Sequence, residues 1–492
     1  MKMSILAFDL GASSGKVLVG EIKKNKLIVE EIYRFANDPV KIGTHFYWDI
    51  LRLFHEMKQG LLKSKFLGFH IQSIGIDTWG LDFGLIGFHG ELLGNPYHYR
   101  DKQSLGMIEK VCDIVPKEEI YFHTGIQFTE VNSIYHLYAM KCSRNPILEK
   151  AETLLMIPDL LRYFLTGEKT IEETIASTTQ LYNSQSKSWV APLINKLDLP
   201  IEIFPDIVET GTRVGSIRLS ICNELHIPKI RVIAVGEHDT ASAVAAIPTV
   251  EKEFAYLSCG TWSLLGTEID TPVINRQAME WNFTNEKGVF NTYRLLKNIM
   301  GLWLIQECKR AWERDGDFLT YDEMVDLALQ SKPFRSFIDP DHEMFLNPEH
   351  MPKQIQYYCQ LTNQPIPRSK NQILRCILES LALKYRFVLE RIEKLTNKKF
   401  PGLYIVGGGV KNNLLCQFTS NALARPVWAG MEEATAIGNL MVQYISLGEI
   451  KDLQEGRMII QNSFPLKTYE PLDSQLWNDA YEIFKKVIES HN

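Results

Sequence analysis

The chain has 492 residues, more than a single hydrophobic core usually organises, so two or three domains are expected. Hydrophobic residues make up 45% and charged residues 23%, the proportions of an ordinary globular protein. A net charge of −6 argues against general nucleic-acid binding, which leaves a basic excess, and no apolar run approaches the length of a membrane span.

The first segments alternate apolar strands with polar turns. Ile5 to Phe8, Val17 to Ile22 and Leu27 to Glu31 read as a meander of hairpins. A helix follows from about Asp49 to Leu62, with Leu51, Leu53, Phe54, Met57 and Leu61 near helical spacing. Ile71 to Ile76 and Leu81 to Ile86 form a strand-turn-strand unit about Asp77 to Gly80. From Asn95 to about Pro228 the pattern is mixed and mostly helical, and the stretch from about Lys102 is assigned no chemistry. A strand at Ile230 to Val235 leads into a small-residue helix, Thr240 to Ala246, ended by Pro248. Phe254 to Leu257 and Ser263 to Thr267 repeat the form of the opening hairpin, which hints at internal duplication with a boundary near residues 245 to 250. Ile373 to Lys394 is a long amphipathic helix. Leu403 to Val406 is a short strand, and helices follow at Leu414 to Leu423 and Glu432 to Leu447. The N-terminus shows no secretion pattern, and the eight scattered cysteines contain no CxxC pair. A cytoplasmic enzyme with reduced thiols is the expectation.

Four turns carry chemistry. Asp9-Leu10-Gly11-Ala12-Ser13-Ser14-Gly15-Lys16 offers closely spaced N–H groups, two hydroxyls and a cation, with an Asp at the strand end suited to Mg²⁺. It is one residue short of a P-loop and continues as a strand rather than a helix, so both common nucleotide fingerprints fail. A phosphate loop and a plain hairpin turn remain equal readings. Gly236-Glu237-His238-Asp239-Thr240-Ala241-Ser242-Ala243 sits where a strand meets a helix; Asp239 suits a proton acceptor, though on local sequence alone an N-cap is the better reading. Ser258-Cys259-Gly260-Thr261-Trp262-Ser263 is a second candidate phosphate turn or an ordinary β-turn. Gly407-Gly408-Gly409 fits an adenine-ribose unit or a tight crossing of two elements. A further segment, Asp77-Thr78-Trp79-Gly80-Leu81-Asp82 with Tyr97-His98-Tyr99-Arg100-Asp101 downstream, has the composition of a polyol grip or of surface packing.

In this order the motifs resemble the FGGY carbohydrate kinases of the actin-like ATPase fold, over Ile5 to about Gly448. DLGASSGK, GIDTWGLDF, HDTASAV, YLSCGTWSL, LKNIMGLWLIQ and IVGGG are most similar to the members acting on L-rhamnulose. The resemblance implies an α/β protein of two RNase H-like domains flanking a catalytic cleft, 1–247 and 248–492. It implies phosphorylation of L-rhamnulose at O1 by ATP with Mg²⁺. It implies Asp239 as proton acceptor; Gly80, His238, Asp239, Thr240 and Asn298 at the sugar; Ala12, Ser13, Ser14, Gly15, Lys16, Thr261, Gln306 and Gly408 at ATP; and Asp9 at the metal. Two residues depart from the family pattern. Lys16 stands where many members carry Arg. Glu237 stands where a small residue is commoner, and a carboxylate turned inward there would raise the pKa of Asp239. Competing readings are a kinase for L-fuculose, L-xylulose or another ketose, a non-sugar actin-like ATPase, and an inactive sugar sensor. Small-molecule substrates are expected, with no nucleic acid and no membrane.

Overall fold

The computed structural model describes residues 3–489. By compactness the chain falls into two units. The first comprises Met1–Val250, Glu268–Leu295 and Ala434–Ser463; the second comprises Glu251–Thr267, Leu296–Glu433 and Phe464–Asn492. The division expected at 247/248 falls beside the first change of unit, and two later segments, 268–295 and 434–463, pack with the first.

The first unit is built on six strands: β1 (Ser4–Leu10), β2 (Ser14–Lys23), β3 (Lys26–Ala36), β4 (Ile71–Thr78), β5 (Arg213–Ser216) and β6 (Arg231–Ile233). Their order is β5-β6-β4-β1-β2-β3. The three consecutive strands β1, β2 and β3 pair antiparallel, as short turns allow, whereas β4 and β6 join parallel to β1 and β4 after long crossovers. Parallel strands are buried on both faces, and β1 is accordingly a near-continuous apolar run with Ile5, Leu6, Ala7 and Phe8 fully covered. One expected pairing is absent. Phe83–Ile86 does not fold back on β4 but pairs antiparallel with Thr153–Met156 in a separate ribbon, because the intervening turn redirects the chain.

Helix α1 (Ile50–Phe66) begins on Asp49, whose carboxylate accepts the Arg52 N–H at 3.1 Å. It buries Leu53, Met57 and Leu61, while Leu51 faces solvent at 60% exposure, one position off the apolar stripe. Helix α2 (Asp239–Ala245) and helix α3 (Ala434–Leu447) cross so closely that a Cβ on Gly438 would lie 1.7 Å from the Ser242 carbonyl oxygen. Small residues on both helices permit that approach.

The second unit repeats the plan. Six strands of its seven-stranded sheet are β7 (Ala255–Cys259), β8 (Trp262–Ile269), β9 (Tyr293–Met300), β10 (Leu403–Val406), β11 (Val427–Ala429) and β12 (Lys467–Tyr469), in the order β9-β8-β7-β10-β11-β12, and the strand Thr284–Lys287 extends the sheet beyond β9. Again the first hairpin is antiparallel, the next two neighbours are parallel and the last strand is antiparallel. The two sheets therefore share the arrangement of their first four strands, while the antiparallel strand at the far edge precedes its neighbour in the chain in the first sheet and follows it in the second. Among the described residues no helix is long and apolar enough to cross a membrane. All eight cysteines are free.

Candidate functional site

In open α/β sheets ligands gather at the carboxyl ends of parallel strands. In the first unit three such ends lie side by side. Asp9 of β1 is in register with Asp77 of β4 on one side and with Lys16 of β2 on the other. Beyond β6 the chain continues extended, Thr78 bridges His238, and the Thr78 N–H donates to the Glu237 carbonyl at 2.9 Å. Asp239 follows at once.

The hairpin between β1 and β2 closes through Gly11 N–H to the Ser14 carbonyl at 2.9 Å. Asn37 holds it from the side, taking the Ser13 carbonyl on its N–H and the Gly11 carbonyl on its side-chain amide. Gly15 is required by packing, since a Cβ there would meet the Phe35 ring at 2.2 Å. Ala12, Ser14 and Lys16 are half-buried and Ser13 is exposed, so the loop presents its tip outward.

Asp77 is completely buried. Its Oδ2 accepts from Asn439 Nδ2 of α3 at 2.5 Å, and its Oδ1 makes no hydrogen bond. Burial, and next the charge of Asp9, push this carboxyl well above the usual range; the Asn439 bond works against them, and Asp239 and Glu237 add to the rise. The strand ends thus concentrate negative charge. Among the described residues no three His, Cys, Asp or Glu side chains are arranged to hold an ion by themselves. One or two carboxylates with substrate phosphates is how Mg²⁺ is usually held, so Asp9 beside a phosphate-sized turn fits that ion.

Asp239 is not the N-cap of α2. The cap position belongs to His238, and Asp239 is the first helical residue, with Thr240 Oγ1 donating to its Oδ1 at 3.1 Å. Its side chain keeps 31% exposure, so it stands open where its neighbours are covered. His238 Nε2 lies 3.5 Å from Asp239 Oδ1. On the other edge of the ring, Nδ1 is 3.0 Å from Arg294 Nη2 and 3.2 Å from Glu286 Oε2, and these two form a buried ion pair at 3.0 Å. Glu237 turns away from Asp239: its carboxylate receives Arg162 Nε at 2.8 Å.

Gly80 lies buried against Thr178, whose methyl carbon would be 3.1 Å from an added Cβ. The next residue, Leu81, has φ +80, and Asp82 N–H donates to the Gly80 carbonyl at 3.0 Å, a tight turn rarely adopted by a side-chain-bearing residue. Thr178 Oγ1 accepts the Leu81 N–H and Ser133 Oγ donates to the Leu81 carbonyl, so tertiary bonds hold the strained turn in place.

The aromatic segment beside it does not form an open sugar platform. Trp79 is 6% exposed and packs against Trp48 with ring centres 4.1 Å apart at a tilt of 36°, and Trp48 meets His98 at 4.3 Å. Both indole N–H groups donate to Asp82 Oδ2, at 2.5 and 2.8 Å. Burial pushes the Asp82 carboxyl up to about 7 against those bonds, and lowers the His98 imidazole to about 3. The composition that suggested a polyol grip is a buried polar-aromatic core supporting Gly80.

In the second unit, Thr261 Oγ1 donates to Gln306 Oε1 at 3.3 Å, and the Gly301 and Trp303 N–H groups both reach the Thr261 carbonyl. Gly409 answers to a crossing, since its Cβ would meet Cys259 Sγ at 2.2 Å, and Gly407 has φ +84. Gly408 is exposed with nothing within 4 Å of a would-be Cβ. The tight-crossing reading therefore holds for Gly409, while Gly408 stands open. Asn298 is half-buried on β9.

Sequence patterns did not single out Asn439, Arg162, Glu286 or Arg294 as parts of the site. None lies in a motif, and each reaches a motif residue only through the fold, as Arg162 meets Glu237 across 75 residues, Arg294 meets His238 across 56 and Asn439 meets Asp77 across 362.

Sequence comparison finds the N-terminal domain of the FGGY family of carbohydrate kinases over residues 4–246 and its C-terminal domain over 255–447. The chain is 45% identical over 488 residues to the rhamnulokinase of Bacteroides thetaiotaomicron, covering 99% of this chain and 100% of that one. It is 41% identical over 471 residues to the rhamnulokinase of Bacillus subtilis, covering 96% of each. Solved structures with the same fold include a gluconate kinase from Lactobacillus acidophilus, with TM-score 0.82, 17% identity and coverage of 100% and 98%. A glycerol kinase from Plasmodium falciparum with ADP has TM-score 0.77, 15% identity and coverage of 99% and 98%.

Proposed function

The chain belongs to the FGGY family of carbohydrate kinases, and from that we propose that it transfers the γ-phosphoryl group of ATP to O1 of L-rhamnulose, in cytoplasmic use of L-rhamnose. It is a sugar kinase acting on two small molecules. The observation that carries the reading in this chain is the alignment of Asp9, Asp77 and the open Asp239 at neighbouring strand ends beside the Ala12–Lys16 turn.

In this reading the O1 hydroxyl proton passes to the Asp239 carboxylate as O1 bonds the γ-phosphorus, the bond from that phosphorus to the β-phosphate oxygen breaks, and ADP leaves. A largely dissociative transition state needs little early proton removal, so a partly solvated carboxylate suffices. His238, Thr240, Gly80 and Asn298 take the sugar hydroxyls. Ala12, Ser13, Ser14, Gly15 and Lys16 take phosphate, with Thr261, Gln306 and Gly408 at the rest of the nucleotide. The proton acceptor, the phosphate turn and all the sugar residues but Asn298 thus belong to the 1–247 half, and Asn298 with the rest of the nucleotide residues to 248–492. Asp9 would hold Mg²⁺, which when bound neutralises charge on the β- and γ-phosphates.

Coupled ADP release from purified protein with L-rhamnulose, L-fuculose and L-xylulose tests this. Fastest turnover per KM on L-rhamnulose is expected. Equal or better turnover on either other ketose overturns the substrate, and ADP release that no sugar stimulates overturns the kinase reading.

A further inference from the structure

Arg162 has no solvent exposure, and its guanidinium gathers three elements. Nε donates to Glu237 Oε1 at 2.8 Å, Nη1 to Thr170 Oγ1 at 2.7 Å, and Nη2 to the Thr170 carbonyl at 3.1 Å and to Asp159. Glu237 is equally buried. A second buried carboxylate, Glu172, receives the N–H groups of Thr174 at 2.8 Å, Ile175 at 3.2 Å and Glu237 at 3.3 Å. It also receives the hydroxyls of Thr174 and Thr210, each at 2.5 Å. Thr174 Oγ1 in turn accepts the His238 N–H at 3.2 Å.

The consequence is local. The two backbone N–H groups before Asp239 both end on side-chain oxygens of the 172–174 segment, the Glu237 carbonyl is held by Thr78, and the Glu237 carboxylate is held by Arg162. Asp239, the next residue, is left open. Such a network is an expensive way to gain stability. Taking charges out of water is costly, and apolar side chains of similar volume often serve as well or better. What ion networks do supply in some proteins is one fixed arrangement. Burial also pushes the Glu172 carboxyl up to about 8 and the Asp159 carboxyl to about 6.

Resting on Asp239 as the proton acceptor, we propose that Arg162 and Glu237 are positioning residues that clamp the backbone at 236–238 and so aim the Asp239 carboxylate, Glu237 acting by geometry rather than by its charge on Asp239. The competing role, a carboxylate that tunes its neighbour electrostatically, predicts that charge alone matters. Glu237→Gln removes the charge and keeps an acceptor oxygen for Arg162 Nε; Glu237→Ala removes both.

The test measures kcat per nucleotide-titrated site, KM for the sugar, and the thermal midpoint, using whichever ketose the wild type turns over fastest. Glu237→Ala is expected to lower kcat per site about 100-fold with the sugar KM within a few fold, as a misplaced reacting group does. Glu237→Gln is expected to recover to within about 5-fold of wild type. Equal loss in both variants overturns the geometric role in favour of charge. Unchanged kcat per site in Glu237→Ala, with only a lower thermal midpoint, overturns it in favour of mere structure. Should Glu237→Ala fail to fold, Thr174→Val releases the His238 N–H instead, and about 10-fold lower kcat per site is expected. No loss there overturns the proposal too. Asp239→Asn in the same assay separates the two readings. Near wild-type turnover in Asp239→Asn overturns the base, whereas loss there with an unaffected Glu237→Ala overturns the clamp alone.

Discussion

The two sheets share the arrangement of their first four strands and differ in what the strand ends carry. In the first, Asp9 stands in register with Lys16 on one side and Asp77 on the other. The matching place in the second sheet is Ser258, in register with Leu264 and Val406. One copy of the fold sets charge where strands end, and the other sets small neutral groups and glycines. Topology supplies the place, and side chains decide whether the place moves protons and phosphoryl groups or simply receives a ligand.

The strongest way to break that contrast is Asp239→Asn. If chemistry belongs to the first sheet, sugar-dependent kcat falls about 10³-fold, the usual loss for a removed proton acceptor, while sugar and nucleotide still bind by calorimetry. Near wild-type turnover would leave the acidic strand ends without a role in proton transfer.

Next in size are the glycines. Gly438→Ala forces a methyl group against the Ser242 carbonyl oxygen, backbone that cannot yield, and is expected to cost about 3 kcal/mol, read as a fall in thermal midpoint. Gly408→Ala adds a methyl group to open space and should shift stability by less than about 0.5 kcal/mol. Its expected effect is a higher KM for ATP. A Gly408→Ala protein with unchanged ATP KM would remove the ligand role from the second sheet's glycine loop.

These glycines also show what a sequence reveals. Apolar runs located β1, β4, β7 and β10 because strands buried on both faces leave no polar interruptions. The ends of those runs marked Asp9 and the glycine loop. Asp239 was visible in the same way, and of its two readings the cap falls away because the helix begins on Asp239 itself, with His238 at the cap position. The aromatic segment misled for the opposite reason. Trp, His and Asp in a row describe a buried hydrogen-bonded core as well as a sugar grip, and only burial tells them apart. Arg162 lay in a stretch with no readable pattern because its meaning resides wholly in partners brought by the fold.

A smaller effect concerns pH. Burial raises the folded pKa of Glu172 to about 8 from an ordinary value of 4.5, with the neighbouring Glu237 and Glu173 adding to the rise. The folded protein therefore holds this proton more tightly than the unfolded chain does. The contribution of Glu172 is fully present below about pH 4.5, declines as pH rises through about 8, and is level above that. Thermal midpoints measured across this window should fall more steeply in wild type than in Glu172→Gln. Parallel profiles would mean that the carboxyl stays ionised in the fold. Ser258, at the matching strand end of the second sheet, is no carboxyl group and adds no such slope.

The smallest expected effect lies in the opening hairpin. Lys16 is in register with Asp9 across the β1–β2 pair and with Arg34 across the β2–β3 pair, so its ammonium shares its surroundings with one charge of each sign. An ammonium meets a phosphate as a point charge, whereas a guanidinium adds a planar two-pronged grip but needs room to lie flat. Gly15 is pressed on the Phe35 ring, and Asn37 pins the turn at Gly11 and Ser13, so the loop has little freedom to open for the larger head. Lys16→Arg is therefore expected to change the ATP KM by only about 3-fold, with kcat and the sugar KM unchanged. A change in kcat of about 10-fold or more would place Lys16 at the transferring phosphoryl group rather than at the resting nucleotide, and so move the centre of the reaction toward the hairpin.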